Sequence, residues 1–222
     1  MSNLFNNRAI KFFSEFESNV NFPEGVSVMN PYANRENLEL VKRFFDKFYD
    51  DSNPRVFIVG INPGRFGGGL TGIGFTDPIN LEEKCGINNN LEKRAELSSR
   101  FVYMVIDAFG GAEKFFSKFF LSALYPLALI KDGKNYNYYD SKEVYEAMKP
   151  EIIDSLKKQI EFGATKTAIC FGKKNEKFLN EINSEINHFE KIITLDHPRY
   201  IMQYKLKKVD EYIAKYLEAL QD

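Results

Sequence analysis

The chain has 222 residues, with 30 Lys and Arg against 31 Asp and Glu and a formal charge of −1, which excludes a wholesale electrostatic grip on a polyanion and leaves only a local basic face open. At 44% hydrophobic and 27% charged residues it is not a disordered chain; it is long enough to bury one core as a single domain over residues 1–222, with a helical N-terminal part over 1–50. Two cysteines without CxxC spacing, Cys85 and Cys170, exclude a cysteine-ligated zinc or iron–sulfur centre within one chain and fit a reducing compartment; Cys170 reads as a small core residue.

Residues 5–18 and 36–49 have the spacing of amphipathic helices. The run 56–61 is apolar and β-branched, as a buried strand requires, and stops at Asn62-Pro63-Gly64 before a loop with five more glycines. Gly64, Gly67, Gly68, Gly69, Gly72 and Gly74 permit a tight path whose N–H groups turn toward a ligand, and the interleaved Phe66, Ile73 and Phe75 argue against a solvated linker. The charged stretch 77–92, with its Asn run, is open to two readings, a mobile lid or an inert insertion. Further strands are expected at 120–125, 167–171 and 191–195, and helices at 95–109, 141–162 with Ser141 as N-cap, 175–186 and 199–220. No apolar run reaches the about 20 residues of a membrane span, and the start lacks a signal peptide's apolar stretch, so the expectation is a cytoplasmic protein.

Strands alternating with helices predict an α/β fold: three layers, α/β/α, around a central four-stranded, mainly parallel sheet, plus the N-terminal helices. Ligands of such sheets bind at the carboxyl ends of the strands. That rule gathers the glycine loop, the Tyr125-Pro126 segment, Gly172-Lys173-Lys174 and Asp196-His197-Pro198-Arg199.

Of the two histidines, His188 lies in a polar stretch and reads as an exposed surface residue. His197 follows a strand and is locked by Pro198, so its imidazole is the main candidate for chemistry, the plainer role being to cap the turn with Asp196. Asn62 alone could simply make a turn with its own backbone. Paired across the crevice with His197, its carboxamide can hold a water or a base edge.

Gly60 to Phe75, GINPGRFGGGLTGIGF, resembles the first motif of the uracil-DNA glycosylase superfamily, most closely the GxNPGxFGxxxTGxxF pattern of its single-strand-selective monofunctional (SMUG-type) branch. His197-Pro198-Arg199 resembles the second motif, usually HPSPR and here two residues shorter. The resemblance covers about residues 55–200. It implies a monofunctional glycosylase of base excision repair, needing no metal or cofactor, that hydrolyses the N-glycosidic bond of uracil, and of other deaminated bases such as xanthine, in DNA. On the same ground, Asn62 positions the attacking water, His197 hydrogen-bonds the base and stabilises its departing anion, and Phe75 stacks on the flipped base. Ile61, Pro63 and Gly64 then line the pocket, with Phe66 and Gly72 of the same loop among the substrate-binding residues. One departure stands out: the branch carries an Asn in a strand written roughly FFVHNxCPL, where this chain has FFLSALYPL with Ala123 at that position. Ser122 or the main chain would substitute, relaxing selectivity or weakening activity.

Phosphate contacts are expected from Lys173, Lys174, Arg199 and Lys205, with Pro198 near the DNA backbone. Tyr200, Ile201 and Met202 are either a wedge filling the hole left by the base or the first buried turn of the last helix. The expected partner is DNA, single- or double-stranded, bound by a monomer. A P-loop is discounted because Leu70 stands where the phosphate-binding Lys belongs. The alternative function is a non-catalytic binder of single-stranded DNA or a nucleotide on the same fold, against which Asn62 and His197 together argue.

Overall fold

The structure is a computed structural model that describes residues 4–221; residues 1–3 and 222, at the ends of the expected domain, lie outside the described residues. Helix α1 (Phe5–Glu15), strand β1 (Val26–Met29), a 3-10 turn (Pro31–Ala33) and helix α2 (Arg35–Phe48) precede strand β2 (Arg55–Gly60). Helices α3 (Gly68–Thr71), α4 (Pro78–Glu83), α5 (Leu97–Phe109) and α6 (Ala112–Phe116) lead to β3 (Phe119–Ala123) and a hairpin of β4 (Ala128–Lys131) and β5 (Lys134–Tyr136). Then follow α7 (Lys142–Ile160), β6 (Ala164–Phe171), α8 (Lys173–Ile186), β7 (Lys191–Leu195), α9 (Pro198–Tyr204), a second 3-10 turn (Leu206–Lys208) and α10 (Val209–Ala219).

All four expected strands form one sheet in the order β3-β2-β6-β7, every pair parallel, with Val59 opposite both Ser122 and Cys170. Helices α1, α7 and α8 cover one face and α5, α6 and α10 the other, which is the expected α/β/α layering. The N-terminal helices close the core: the buried Phe5 ring lies 4.9 Å from Tyr49, 5.3 Å from Phe120 and 5.7 Å from Phe162. With 21 Phe and no Trp, the interior is built of such tilted ring pairs. Cys170 is buried in it, as expected.

Three features differ from the sequence expectation. A second, antiparallel sheet, β1-β4-β5, was unforeseen; its strands are three or four residues long and β1, within the N-terminal part expected to be helical, pairs with β4 across the chain, Val28 opposite Leu129. The expected helix 199–220 breaks at Lys205, with no Gly or Pro to announce it, and the turn lets Tyr216 of α10 pack 4.9 Å from Phe101 and 5.4 Å from Phe171. His188 is half-buried instead of exposed, its Nε2 3.1 Å from the Thr165 carbonyl in β6. The stretch 77–92, read from sequence as a mobile lid or an inert insertion, carries α4 and buries Leu81, Cys85 and Ile87.

At the amino end of β2, Arg55 is fully buried against the rings of Phe5 and Tyr49. Its guanidinium makes two hydrogen bonds to the Asp51 carboxylate at 2.8 and 2.9 Å and others to the carbonyls of Asn53 and Phe116. Those bonds hold the Asp51 carboxyl below its ordinary pKa.

Candidate active site

At the carboxyl end of β2, Gly60 is required by contact: a Cβ there would meet the Phe75 ring at 2.5 Å. The ring therefore lies directly on the strand end, 5.2 Å from Phe171 and 6.3 Å from the His197 ring. Phe75 holds φ at 54°, the left-handed region that aromatic residues avoid, at a cost on the order of 1–3 kcal/mol. Strain of that kind persists only where the surroundings impose it, here to present one aromatic face to a cleft.

Asn62 does not make a turn with its own backbone. Its Nδ2 donates to the Tyr136 carbonyl at 3.0 Å and its Oδ1 accepts from the Tyr138 N–H at 3.3 Å, both beyond or at the end of β5. Exchanging O and N would set donor against donor and acceptor against acceptor, so this partner pair dictates the amide's orientation. One Oδ1 lone pair and one Nδ2 hydrogen remain uncommitted by these bonds.

His197 caps α9: its Nδ1 accepts from the Arg199 N–H at 3.2 Å. Asp196 is turned away toward Lys215 at 3.7 Å, so the cap uses the imidazole itself and not Asp196. Burial, and secondarily the Arg199 charge, push the imidazole down to about 4, so near neutrality it is uncharged. With Nδ1 accepting, the neutral ring carries its proton on Nε2, a donor.

Asn62, Phe75 and His197 line one cleft of about 710 Å³. Ile61, Pro63, Gly64, Phe66, Ser122, Ala123 and Arg199 line it too, so most of the expected site residues meet there. Gly72 does not: it sits behind the wall in the left-handed conformation that ends α3, where an added Cβ would meet Val41 at 2.7 Å, and its carbonyl accepts from the Tyr32 hydroxyl. The loop's N–H groups are mostly spent on its own turns, Gly67 and Gly69 both donating to the Gly64 carbonyl, so it serves close packing more than a cradle of free donors. Ser122 reaches the lining, yet its hydroxyl donates to Gln159 of α7 at 2.6 Å, and Gln159 in turn donates to the Ala123 carbonyl at 3.3 Å.

Of the expected phosphate contacts, Arg199 is exposed on the cleft wall and Pro198 is buried beneath it. Lys173, Lys174 and Lys205 are not part of the lining: Lys174 lies over the Tyr139 ring at 4.1 Å, at the cleft's edge, Lys205 reaches only to the Tyr200 ring at 5.9 Å, and Lys173 is exposed at the start of α8. Tyr200 is exposed and lines the cleft together with Tyr204, whereas Ile201 and Met202 are buried, which divides the expected wedge between surface and core.

The cleft also recruits residues that sequence reasoning missed. Arg65 lines it and packs against the Phe66 ring at 4.3 Å, while Arg94, outside the lining like Lys174, packs against the same ring at 3.9 Å. Arg65 is further tied by its N–H to Asn135 Oδ1 at 3.0 Å and by its guanidinium to the Gly133 carbonyl. Lys134 and Asn135 arrive on the β4–β5 hairpin, whose Asp132-Gly133 turn, both residues at positive φ, is the signal that could have revealed it. A larger depression of about 840 Å³ between α1 and α7 mixes acids with bases and includes no strand end. Among the described residues no group of three or more His, Cys, Asp and Glu stands together, and no helix is long and apolar enough to cross a membrane.

The sequence profile described as the uracil DNA glycosylase superfamily matches residues 47–221. The chain belongs to that superfamily. The match reaches beyond both ends of the motif-bearing segment, taking in the end of α2 and all of α10. Among solved structures, the wild-type SMUG2 of Pedobacter heparinus is similar to this chain at 41% identity and a TM-score of 0.94, over 98% of this chain and 97% of that one. A search of curated proteins finds no match. Membership makes the chain a DNA glycosylase, a hydrolase of DNA repair, and its substrate DNA.

Proposed function

We propose that the protein removes uracil, together with xanthine or related deaminated bases, from DNA as a monofunctional glycosylase of base excision repair. The observation that carries this reading is the pairing, in one cleft, of a half-satisfied carboxamide at Asn62 with a neutral, Nε2-protonated imidazole at His197. Cleavage of the glycosidic bond leaves positive charge on the sugar and negative charge on the departing base. A neutral donor at His197 stabilises a developing oxyanion on the base without having to lose a proton, and the free Oδ1 lone pair of Asn62 accepts from a water and aims it at the sugar carbon. Phe75 stacks on the base once it has left the helix, since the bond is out of reach inside a duplex. None of these steps calls on a metal or a nucleophilic lysine.

The Ala123 departure supports the broader base range. Ser122 gives its hydroxyl hydrogen to Gln159, so neither side chain at 122 or 123 supplies the carboxamide that the resemblance leads one to expect. A small side chain there leaves room for a larger base. Arg65, Lys134 and Arg199 form the local basic rim that a net charge of −1 left open, and they take the role of phosphate contacts ahead of Lys173, Lys174 and Lys205. We read residues 1–222 as one domain, because α1 and α2 share the core, and the protein as a cytoplasmic monomer.

The test is cleavage of oligonucleotides carrying uracil, xanthine or hypoxanthine, single-stranded and duplex, with a chelator present. Abasic product from the wild type, formed about 1000-fold more slowly in Asn62→Ala and severely slowed in His197→Ala, is the expected result. Absence of product on every base, with DNA still bound, would replace this reading by a non-catalytic DNA-binding module.

A further inference from the structure

The bonds that orient Asn62 continue into a buried network. Tyr138, whose N–H meets Asn62 Oδ1, has no exposed surface, and its hydroxyl donates to Asn175 Oδ1 at 2.7 Å. Asn175, equally buried near the start of α8, donates from Nδ2 to the Val59 carbonyl at 3.2 Å. Val59 precedes Asn62 on the same strand and loop, so the path leaves the end of β2 through Asn62 and returns to it through Asn175.

The Tyr138 N–H needs this anchor. Strand β5 ends at Tyr136, so the sheet ladder stops before residue 138. The following turn is closed by hydrogen bonds between Asn137 and Asp140 and touched from α8 by Lys174, 4.0 Å from Asp140, none of which reaches the Tyr138 N–H. What places the Tyr138 backbone is its own side chain, whose ring lies 5.1 Å from Tyr139, 5.5 Å from Phe178 and 5.9 Å from Tyr145, and whose hydroxyl is fixed by Asn175. The rings permit sliding; the hydroxyl bond sets a single position, because a buried polar group that loses its partner is costly.

We propose that Tyr138 and Asn175 are positioning residues for the Asn62 amide: the Asn175–Tyr138 bond holds the Tyr138 N–H where it orients Asn62 Oδ1 toward the cleft. The task given to that amide rests on the glycosylase reading; the linkage itself does not. Misplacing a reacting group by about 1 Å costs up to about 100-fold in rate, so loss of one hydroxyl, remote from the substrate, is expected to be visible in the chemical step.

The experiment compares wild type, Tyr138→Phe and Asn175→Leu, each also in the Asn62→Ala background, with melting temperatures recorded to confirm folding. Single-turnover cleavage of uracil-containing DNA is expected to slow about tenfold or more in Tyr138→Phe, with DNA affinity changed less than about twofold. In the Asn62→Ala background the same substitution should slow cleavage no further, the signature of acting through that residue. Hydrogen exchange at the residue-138 amide should accelerate in Tyr138→Phe and in Asn175→Leu. Equal slowing in both backgrounds, or unchanged rate, would overturn the positioning role. If the wild type forms no abasic product on any base, the glycosylase reading fails separately, and unchanged exchange at residue 138 in both variants would then overturn the linkage by itself.

Discussion

At the start of β2 a buried guanidinium has its donors taken up by Asp51, Asn53 and Phe116, whereas at the end of the same strand the Asn62 amide spends half its hydrogen-bonding capacity and turns the rest toward a cleft. Both ends place a polar group on an apolar strand, and both tie it to backbone. The difference is saturation. A buried charge with four of its five N–H donors committed has little to offer a ligand, and removing its partner exposes much of the desolvation cost. A partly satisfied amide is oriented and still able to hydrogen-bond water. The strained Phe75 and the depressed His197 lie only at the second end, which is where a preorganised site would be expected to concentrate such costs.

The largest effect should break the comparison into two separable halves. Asn62→Ala is expected to lower single-turnover cleavage by about 1000-fold while leaving the melting temperature within a few degrees. Asp51→Asn should do the reverse, destabilising the fold by about 3 kcal/mol in chemical denaturation with the cleavage rate of the folded fraction unchanged. Because Asp51 titrates below its ordinary value, its contribution is present above the unfolded carboxylate range and is lost as pH falls through its folded pKa; in Asp51→Asn that acid limb of the stability curve should flatten.

A smaller effect sharpens the cleft end. Gly60→Ala places a Cβ against the Phe75 ring, and the ring must move; cleavage is expected to fall about tenfold or more, with a raised KM for the damaged DNA. Smaller again is the pH response of His197. With its imidazole at about 4, the cleavage rate should be independent of this group near neutrality and fall only as pH approaches 4. The same depression adds stability that is complete above the unfolded value of about 6.5 and is lost on acidification toward 4. Arg199→Gln removes the secondary cause, so nuclear magnetic resonance titration should find the His197 pKa raised, with burial still holding it below its ordinary value. The smallest is expected at the rim: Arg65→Ala should reduce the slope of log affinity against log salt by about one, weakening DNA binding alike for every target base.

How legible this was differs along the chain. The four core strands could be read because each is a short apolar run between helices of clear period, and the parallel sheet follows from that alternation. Asn62, Phe75 and His197 could be read because strand ends in such a sheet converge, and the two motifs name them in order. The β1-β4-β5 sheet could not, since three- and four-residue strands carry no period and β1 meets β4 only through the fold. Gly72 looked like part of a ligand loop because sequence shows a glycine's freedom but not the neighbour, here Val41, that demands it. The lysines after β6 looked like phosphate contacts because a strand end was near, while side-chain direction placed Arg65 and Lys134 in the cleft's lining instead.

Local pattern alone thus determined the α/β class, the place of the cleft and the presence of Asn62 and His197 at its strand ends, because periodicity and strand-end geometry are short-range properties of the chain. Which atoms of those side chains are committed and which are free was decided only in three dimensions. The Asn62 amide is oriented by residues 136 and 138, and the His197 tautomer by a helix that begins at Pro198. The state of a polar group depends on which partners the packed fold brings to it, and for Asn62 those partners lie more than 70 positions away in the chain.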